Sequence, residues 1–405
     1  MLKNISADEA CNMIYELPVS RTTETAALGD ALGRVLSQDV KARMAFPPFD
    51  RSPYDGFAFR GEDTRNASAD APVVLTITEE IPAGTQPRYE IRPGFAAKIL
   101  TGAPIPKGAD STIKYEETKF DESEVRIFYP IKPNTDIVYA GKDATPGQLI
   151  APEGTVISAP VISILANQGI AHVEVFRKPV IAVLSTGSEL CEAGEPLRPA
   201  AIYNSNSHTI AAYLADVGAA PAIGGSVPDD PAVIAEAIGR VLDDSDMVVT
   251  TGGASVGDYD WAVRSAELMG ADVLFWKVSM RPGGSVMVAL KDGKAILGLS
   301  GNPAAAVLGL LRLAIPYVKK LCGRSECFYN EIHVPLRDPY PKNSPKLRIL
   351  RGRLEIEDSR AFFVESGGQG NEEVSSLAGC DLLGEITMGS PPLPAGEIIK
   401  AYRIG

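Results

Sequence analysis

Residues 244–261 read DSDMVVTTGGASVGDYDW, and this stretch decides the fold. A short apolar run at 247–249 breaks into two threonines and two glycines, then a small-residue loop, then Asp258-Tyr259-Asp260. Consecutive apolar residues suit a strand covered on both faces, as in a parallel sheet flanked by helices. A strand that ends on a glycine-rich loop brings backbone to the carboxyl edge of such a sheet, where open α/β folds bind ligands.

The flanking sequence repeats the pattern. The run at 180–184 is a second continuous apolar strand, and 273–278, 286–290 and 295–299 read as further strands. Helices are expected at 208–217 and 231–242, the latter with Asp229 or Asp230 as cap and Pro231 in its first turn. Another is expected at 259–268, and Asn302-Pro303 opens a long one to about residue 321. Alternation of this kind implies an α/β domain with a mostly parallel sheet, placed at 177–322.

Other textures lie outside this domain. Ser6-Ala7-Asp8-Glu9 is a capping box, followed by Ala10, Met13, Ile14 and Leu17 at helical spacing. A second helix is expected at 25–36, on the apolar face Leu28, Leu32, Val35 and Leu36, and 159–169 reads as helical. Between them, β-prone runs at 73–78, 97–100, 111–115 and 125–129 are separated by Pro/Gly turns. The reading is an inserted β domain at 46–138 within a discontinuous N-terminal helical/extended domain at 1–45 and 139–176. Residues 323–405 return to β texture and read as a C-terminal β-barrel-like domain. The fold class is thus multidomain α/β plus β.

Bulk composition narrows the partners. The 405 residues suffice for two to four domains, and the net charge is −12. That balance argues against a nucleic-acid or anionic-membrane surface, although local cations or a metal ion would still hold a small anion. No run of about 18 apolar residues and no leader-like start is present, so no membrane partner and a cytoplasmic location are expected. The five cysteines, Cys11, Cys191, Cys322, Cys327 and Cys380, contain no C-x-x-C pair and read as reduced thiols.

Three loops follow successive strands: Ser185-Thr186-Gly187-Ser188-Glu189, the 250–255 loop with Thr251, Gly252, Gly253 and Ser255, and Ser300-Gly301-Asn302-Pro303. Each offers small residues and, before a helix or turn, free N–H groups suited to a phosphate-bearing ligand. Neither a P-loop nor a G-x-G-x-x-G fingerprint is present. Asp258 and Asp260 read either as helix caps or as Mg²⁺ ligands beside bound phosphates. Lys277 and Arg281, in FWKVSMRPGGS, lie at a strand-to-turn transition where an arginine fork grips an oxyanion.

Together these segments resemble the molybdopterin molybdotransferase (molybdenum insertase) family over essentially the whole chain. The resemblance rests on FPPFDRSPYDGFAF (46–59), TGAPIPKGAD (101–110), AGKD (140–143), STGSEL (185–190), TTGGASVGDYD (250–260), FWKV with RPG (275–283), GLSGNP (298–303) and LRG (350–352), in the family's order. It implies a homodimeric enzyme that inserts molybdate into adenylylated molybdopterin. Mg²⁺-dependent cleavage of the pyrophosphate link then releases AMP and molybdenum cofactor. It implies catalytic roles for Asp55, Asp143, Asp260, Lys277 and Arg281, and metal binding by Glu189, Asp258 and Asp260. Molybdate would be held by Lys277, Arg281, Ser285 and Arg351. The pterin-bearing ligand would lie on Thr186, Gly187, Glu189, Asn204, Thr251, Gly252, Gly253, Ser255, Asp258, Ser300, Gly301, Asn302 and Pro303. The adenylyltransferase that makes the substrate and the apo-molybdoenzymes that receive the product are the implied transient partners.

The chain departs from the family's pattern at several of these positions. Asn204 stands where Asp is frequent, Arg281 replaces a lysine, Gly284 and Ser285 replace Lys and Pro, and Asn371 replaces a serine. These changes fall on the oxyanion pocket and leave two alternatives open: a tungstate-preferring insertase and a non-catalytic carrier or scaffold.

Overall fold

A computed structural model of the chain describes residues 1–253 and 261–404. The described chain forms two compact units. One comprises residues 1–38, 153–157 and 173 onward; the other comprises 39–152 and 158–172.

The first unit is built on a seven-stranded sheet in the order Leu2–Ile5, Asp272–Val278, Met287–Lys291, Lys294–Leu299, Met247–Thr251, Val180–Thr186, Ala220–Val227. Only Met287–Lys291 runs against the rest. The apolar runs of its central strands divide by period two between two cores. Ile181, Val183, Met247, Val249, Ala295 and Leu297 face one side; Ala182, Leu184, Val248 and Ile296 face the other. Helices Ala7–Tyr15 and Ser205–Asp216 cover the first face, and Pro231–Leu242 and Trp261–Leu268 cover the second.

The Ser6 half of the expected capping box forms: its hydroxyl accepts from the Glu9 N–H at 3.1 Å. The long C-terminal helix of this layer is interrupted. Pro303–Gly309 leads into a π-helical turn, Leu310–Ala314, and then Ile315–Leu321. Pro316 lacks an N–H and would clash with the carbonyl four residues back, so the turn before it widens.

The helix expected at 25–36 is absent. Thr23–Ala27 is a strand paired with His172–Phe176, and Leu28–Asp30 is a single 3₁₀ turn. β-branched threonines disfavour helix, and Gly33 sits at φ +75°. Leu32, on the supposed apolar face, is 62% exposed.

The same unit holds the C-terminal sheet, in the order Met280–Arg281, Leu347–Glu357, Leu382–Ile386, Ile398–Arg403, Glu331–Pro335. Arg360–Glu365 pairs with Leu347–Glu357, and a bridge from Phe363 to Leu336 closes the ring around Leu350, Leu382, Ile386 and Ala401. The expected barrel-like form is therefore present.

The second unit carries a six-stranded sheet, Ser111–Lys114, Gly56–Phe59, Phe95–Ile99, Val73–Ile81, Glu124–Ile127, Thr118–Phe120. It also holds the helix Ala159–Asn167. All five cysteines are free thiols.

Candidate active site

Register sets the site. Ser185 lies opposite Thr251, and Thr251 opposite Leu299, so three parallel strands end level and their loops open side by side. They form the floor of a cleft of about 1760 Å³ within the first unit. The glycines of the second loop are required there. A Cβ on Gly252 would lie 2.4 Å from the Thr186 carbonyl oxygen, and Gly252 and Gly253 sit at φ +96° and +65°.

From the first loop, Thr186 and Glu189 line the cleft, whereas Gly187 does not; its φ is +148° and a Cβ would press on the Glu189 carboxylate. Thr251, Gly252 and Gly253 line it from the second loop, and Ser300, Gly301, Asn302 and Pro303 from the third. Ser255, Asp258 and Asp260 lie outside the described residues.

The third loop corrects one expectation. The N–H groups of Ala304 and Ala305 are not free for an anion; both donate to the Asn371 carbonyl, at 3.0 and 3.3 Å. A loop of the C-terminal barrel thus caps this helix and is fixed beside the cleft, which Asn371 also lines.

Asn204 is likewise committed. Its Oδ1 accepts from Ser185 Oγ at 2.8 Å and caps the following helix through Ser207 N at 3.3 Å; its Nδ2 donates to Glu192 at 3.1 Å. Ser185 in turn contacts the Thr251 hydroxyl at 3.1 Å. An aspartate could not donate to Glu192, so asparagine here ties two loops together with no free metal-binding oxygen.

A second carboxylate enters the site unannounced by the sequence. Asp230, not Asp229, caps the 231–242 helix, accepting from Ala232 and Val233 at 2.8 and 3.1 Å. Asp229 is left to line the cleft with Glu189. Partial burial in the wall and the Glu189 charge push the Asp229 carboxyl above its ordinary value, with Thr186 and the Ser188 backbone pulling the other way. Two like charges held together in this way fit a divalent cation. Among the described residues no group of three acidic, His or Cys side chains gathers.

A second wall of the cleft is rich in cations, and the barrel loop adds Glu372 and Glu373 to the lining. Lys277 and Arg281 line it as expected, and Ser285 lies beside them. Lys277 holds a left-handed backbone, φ +68°, unusual for a residue with a side chain. Its ammonium lies 3.9 Å from the Trp276 ring centroid. Gly284 is required where it stands: a Cβ would meet the Met280 and Val278 carbonyls at 2.4 and 2.5 Å. Lys342, Lys346 and Arg348, from the barrel, complete this wall. The sequence reading passed over them, though KNSPKLR is a dense basic run in an acidic chain.

Arg351 does not line the cleft. Its side chain is fully buried and donates to the carbonyls of Gly368 and Gly370, at 2.8 and 3.0 Å, both of which border the cleft. Its direct part is therefore to hold that loop in place.

Asp55 and Asp143 belong to the second unit. Asp55 accepts from the Thr101 N–H and hydroxyl at 2.7 and 2.8 Å, which lowers its carboxyl below the usual range and keeps it ionised. Gly56 follows because a Cβ would strike the Ile113 carbonyl of the adjacent strand at 1.9 Å. Asp143 is anchored through its N–H to Phe46 O at 2.9 Å.

Comparison with known proteins agrees with this architecture. Residues 5–169 match the MoeA N-terminal region (domain I and II), and residues 182–320 match the probable molybdopterin binding domain. The molybdopterin molybdenumtransferase of Staphylococcus aureus (strain MSSA476) is 34% identical over 395 residues, 98% of this chain and 94% of that protein. The chain belongs to the molybdopterin molybdenumtransferase family. A member from Bacillus subtilis (strain 168) is 34% identical over 404 residues, covering 99% and 94%. A crystal structure of the molybdopterin biosynthesis MoeA protein from Pyrococcus horikoshii OT3 superposes at TM-score 0.84 with 26% identity, covering 99% of this chain and 100% of that one. Another structure of the P. horikoshii protein gives 0.82 and 28%, covering 99% of each. The family makes the chain an enzyme of molybdenum cofactor biosynthesis, with molybdopterin and molybdenum chemistry.

Proposed function

We propose that the chain takes molybdopterin carrying AMP through a pyrophosphate link, inserts molybdate, and cleaves the link to release AMP and molybdenum cofactor. The observation that carries this reading is the gathering of carboxylates and many cations in one cleft. Glu189 and Asp229 share it with Lys277, Arg281, Lys342, Lys346 and Arg348; Glu372 and Glu373 of the barrel loop also line it, Glu373 being tied to the Gly370 N–H. Such a site takes a polyanion together with a metal ion.

Mg²⁺ would be held by Glu189 and Asp229, with Asp258 and Asp260 as further proposed ligands, and would supply neutralisation of phosphate charge. The chain's own groups do the rest. The glycines of the second loop allow close approach of the phosphates, and the cationic wall gathers molybdate near the dithiolene. Holding both reactants in one cleft lowers the barrier mainly by positioning. Catalytic roles for Asp55 and Asp143, a homodimer, the four-domain division, a cytoplasmic location, and contacts with the adenylyltransferase and apo-molybdoenzymes belong to the same proposal.

The test is AMP release from adenylylated molybdopterin with Mg²⁺ and with molybdate, tungstate or neither. Release that depends on an oxyanion supports the reading and identifies the preferred metal. Tight substrate binding with no release under any condition would make the chain a carrier.

A further inference from the structure

The strand Met280–Arg281 leaves the α/β sheet and pairs in parallel with the start of Leu347–Glu357 in the barrel, Met280 opposite Leu347 and Arg281 opposite Arg348. Side chains alternate across such a bridge. Met280 is buried in the main core with Leu347 packed against it. Arg281 and Arg348 therefore share the other side, and both line the cleft. Like charges facing each other on adjacent strands are unfavourable unless something lies between them.

No carboxylate closes on this pair, although the Glu365 charge lies within electrostatic reach of Arg348. Among the described residues neither arginine has an ion-pair partner. Arg348 donates one bond, from Nη2 to the Gln369 carbonyl at 3.2 Å, and its buried Nε has no partner. By contrast Arg312, also in this unit, is bound to Glu385 at 2.7 Å and to Asp8.

We propose that Arg348 acts with Arg281 as a two-guanidinium clamp for a tetrahedral oxyanion in the cleft. This rests on the functional reading above and adds to it a binding residue from the barrel. Two forks presented side by side suit a compact dianion better than a lysine does. The replacement of a lysine by Arg281 then has a partner in this chain. Molybdate and the phosphoryl group of the nucleotide share the required chemistry.

The test is calorimetric titration of the full-length protein with sodium molybdate and, separately, with AMP. The proteins compared are wild type, Arg348→Gln, Arg348→Lys, Arg281→Ala, and Arg281→Ala combined with Arg348→Gln. The clamp predicts that Arg348→Gln weakens one ligand roughly ten- to hundredfold. Loss confined to molybdate assigns the clamp to the inserted oxyanion; loss confined to AMP assigns it to the phosphoryl group. Arg348→Lys keeps the charge without the fork and falls between, and the double variant loses little more than Arg281→Ala alone. Arg348→Gln binding both ligands within about twofold of wild type overturns the clamp, as does full affinity in Arg348→Lys should the glutamine variant not fold. The insertase reading fails separately, on absence of oxyanion-dependent AMP release from wild type.

Discussion

The first unit handles charge in two opposite ways. Around Arg312 every charge is answered. Arg312, 8% exposed, meets Glu385 at 2.7 Å and also Asp8, and Glu385, 4% exposed, meets Lys400 at 2.8 Å. In the cleft Glu189 and Asp229 stand together, and although Glu372 and Glu373 also line it, none of Lys277, Arg281, Lys342, Lys346 and Arg348 forms a close ion pair among the described residues. The same sequence pairs charges where they hold the barrel to the α/β layer and leaves them unpaired where a ligand completes them. Substitutions in the two places should therefore have opposite signatures.

The largest effect is expected from Arg312→Leu. Removing Arg312 leaves buried Glu385 with Lys400 alone and should cost about 3 kcal/mol, the low end for breaking a buried pair. Chemical denaturation would show it, while oxyanion affinity of the folded fraction stays near wild type.

Asp229→Asn should do the reverse. A carboxyl raised in the folded state contributes stability that is complete below its unfolded value and is lost as pH rises through the folded one. The contribution of Asp229 to the stability of the metal-free protein should therefore fall as pH rises from acid. The variant should melt slightly higher than wild type near neutrality and show a flatter profile across about pH 4–7.

Arg281→Ala should weaken molybdate binding roughly tenfold with no loss of thermal stability. Unchanged molybdate dependence of cofactor release would remove Arg281 from the site. The smallest effect belongs to Asn204→Asp, which loses the bond to Glu192 and sets two carboxylates together. A cost of about 1 kcal/mol is expected, read as a lower melting temperature at neutral pH that recovers in acid.

How much of this the sequence disclosed follows the same division. Strands buried on both faces, such as Val180–Thr186 and Met247–Thr251, were legible because every residue is apolar or small. The two edge strands were not. Leu2–Ile5 is four residues long, and Ala220–Val227 carries Pro221, Gly224 and Gly225, tolerated only because one side is unpaired. The expected 25–36 helix failed since Leu28, Leu32, Val35 and Leu36 matched helical spacing by chance while glycines and threonines opposed it.

In the site, the loop glycines and Lys277 were readable because they stand inside contiguous motifs. Asp229 was hidden beside the true cap, Asp230. Arg348 was hidden because its meaning depends on a bridge to Arg281, 67 residues away, as 348 − 281 gives. The buried position of Arg351 is a tertiary fact that no local pattern encodes.

The most direct measurement is molybdate-dependent AMP release as a function of Mg²⁺ concentration, for wild type and Asp229→Asn side by side. Glu189 and Asp229 acting as the metal-binding wall predicts that the variant needs at least roughly tenfold more Mg²⁺ for half-maximal release. Superimposable Mg²⁺ curves for the two proteins would contradict it.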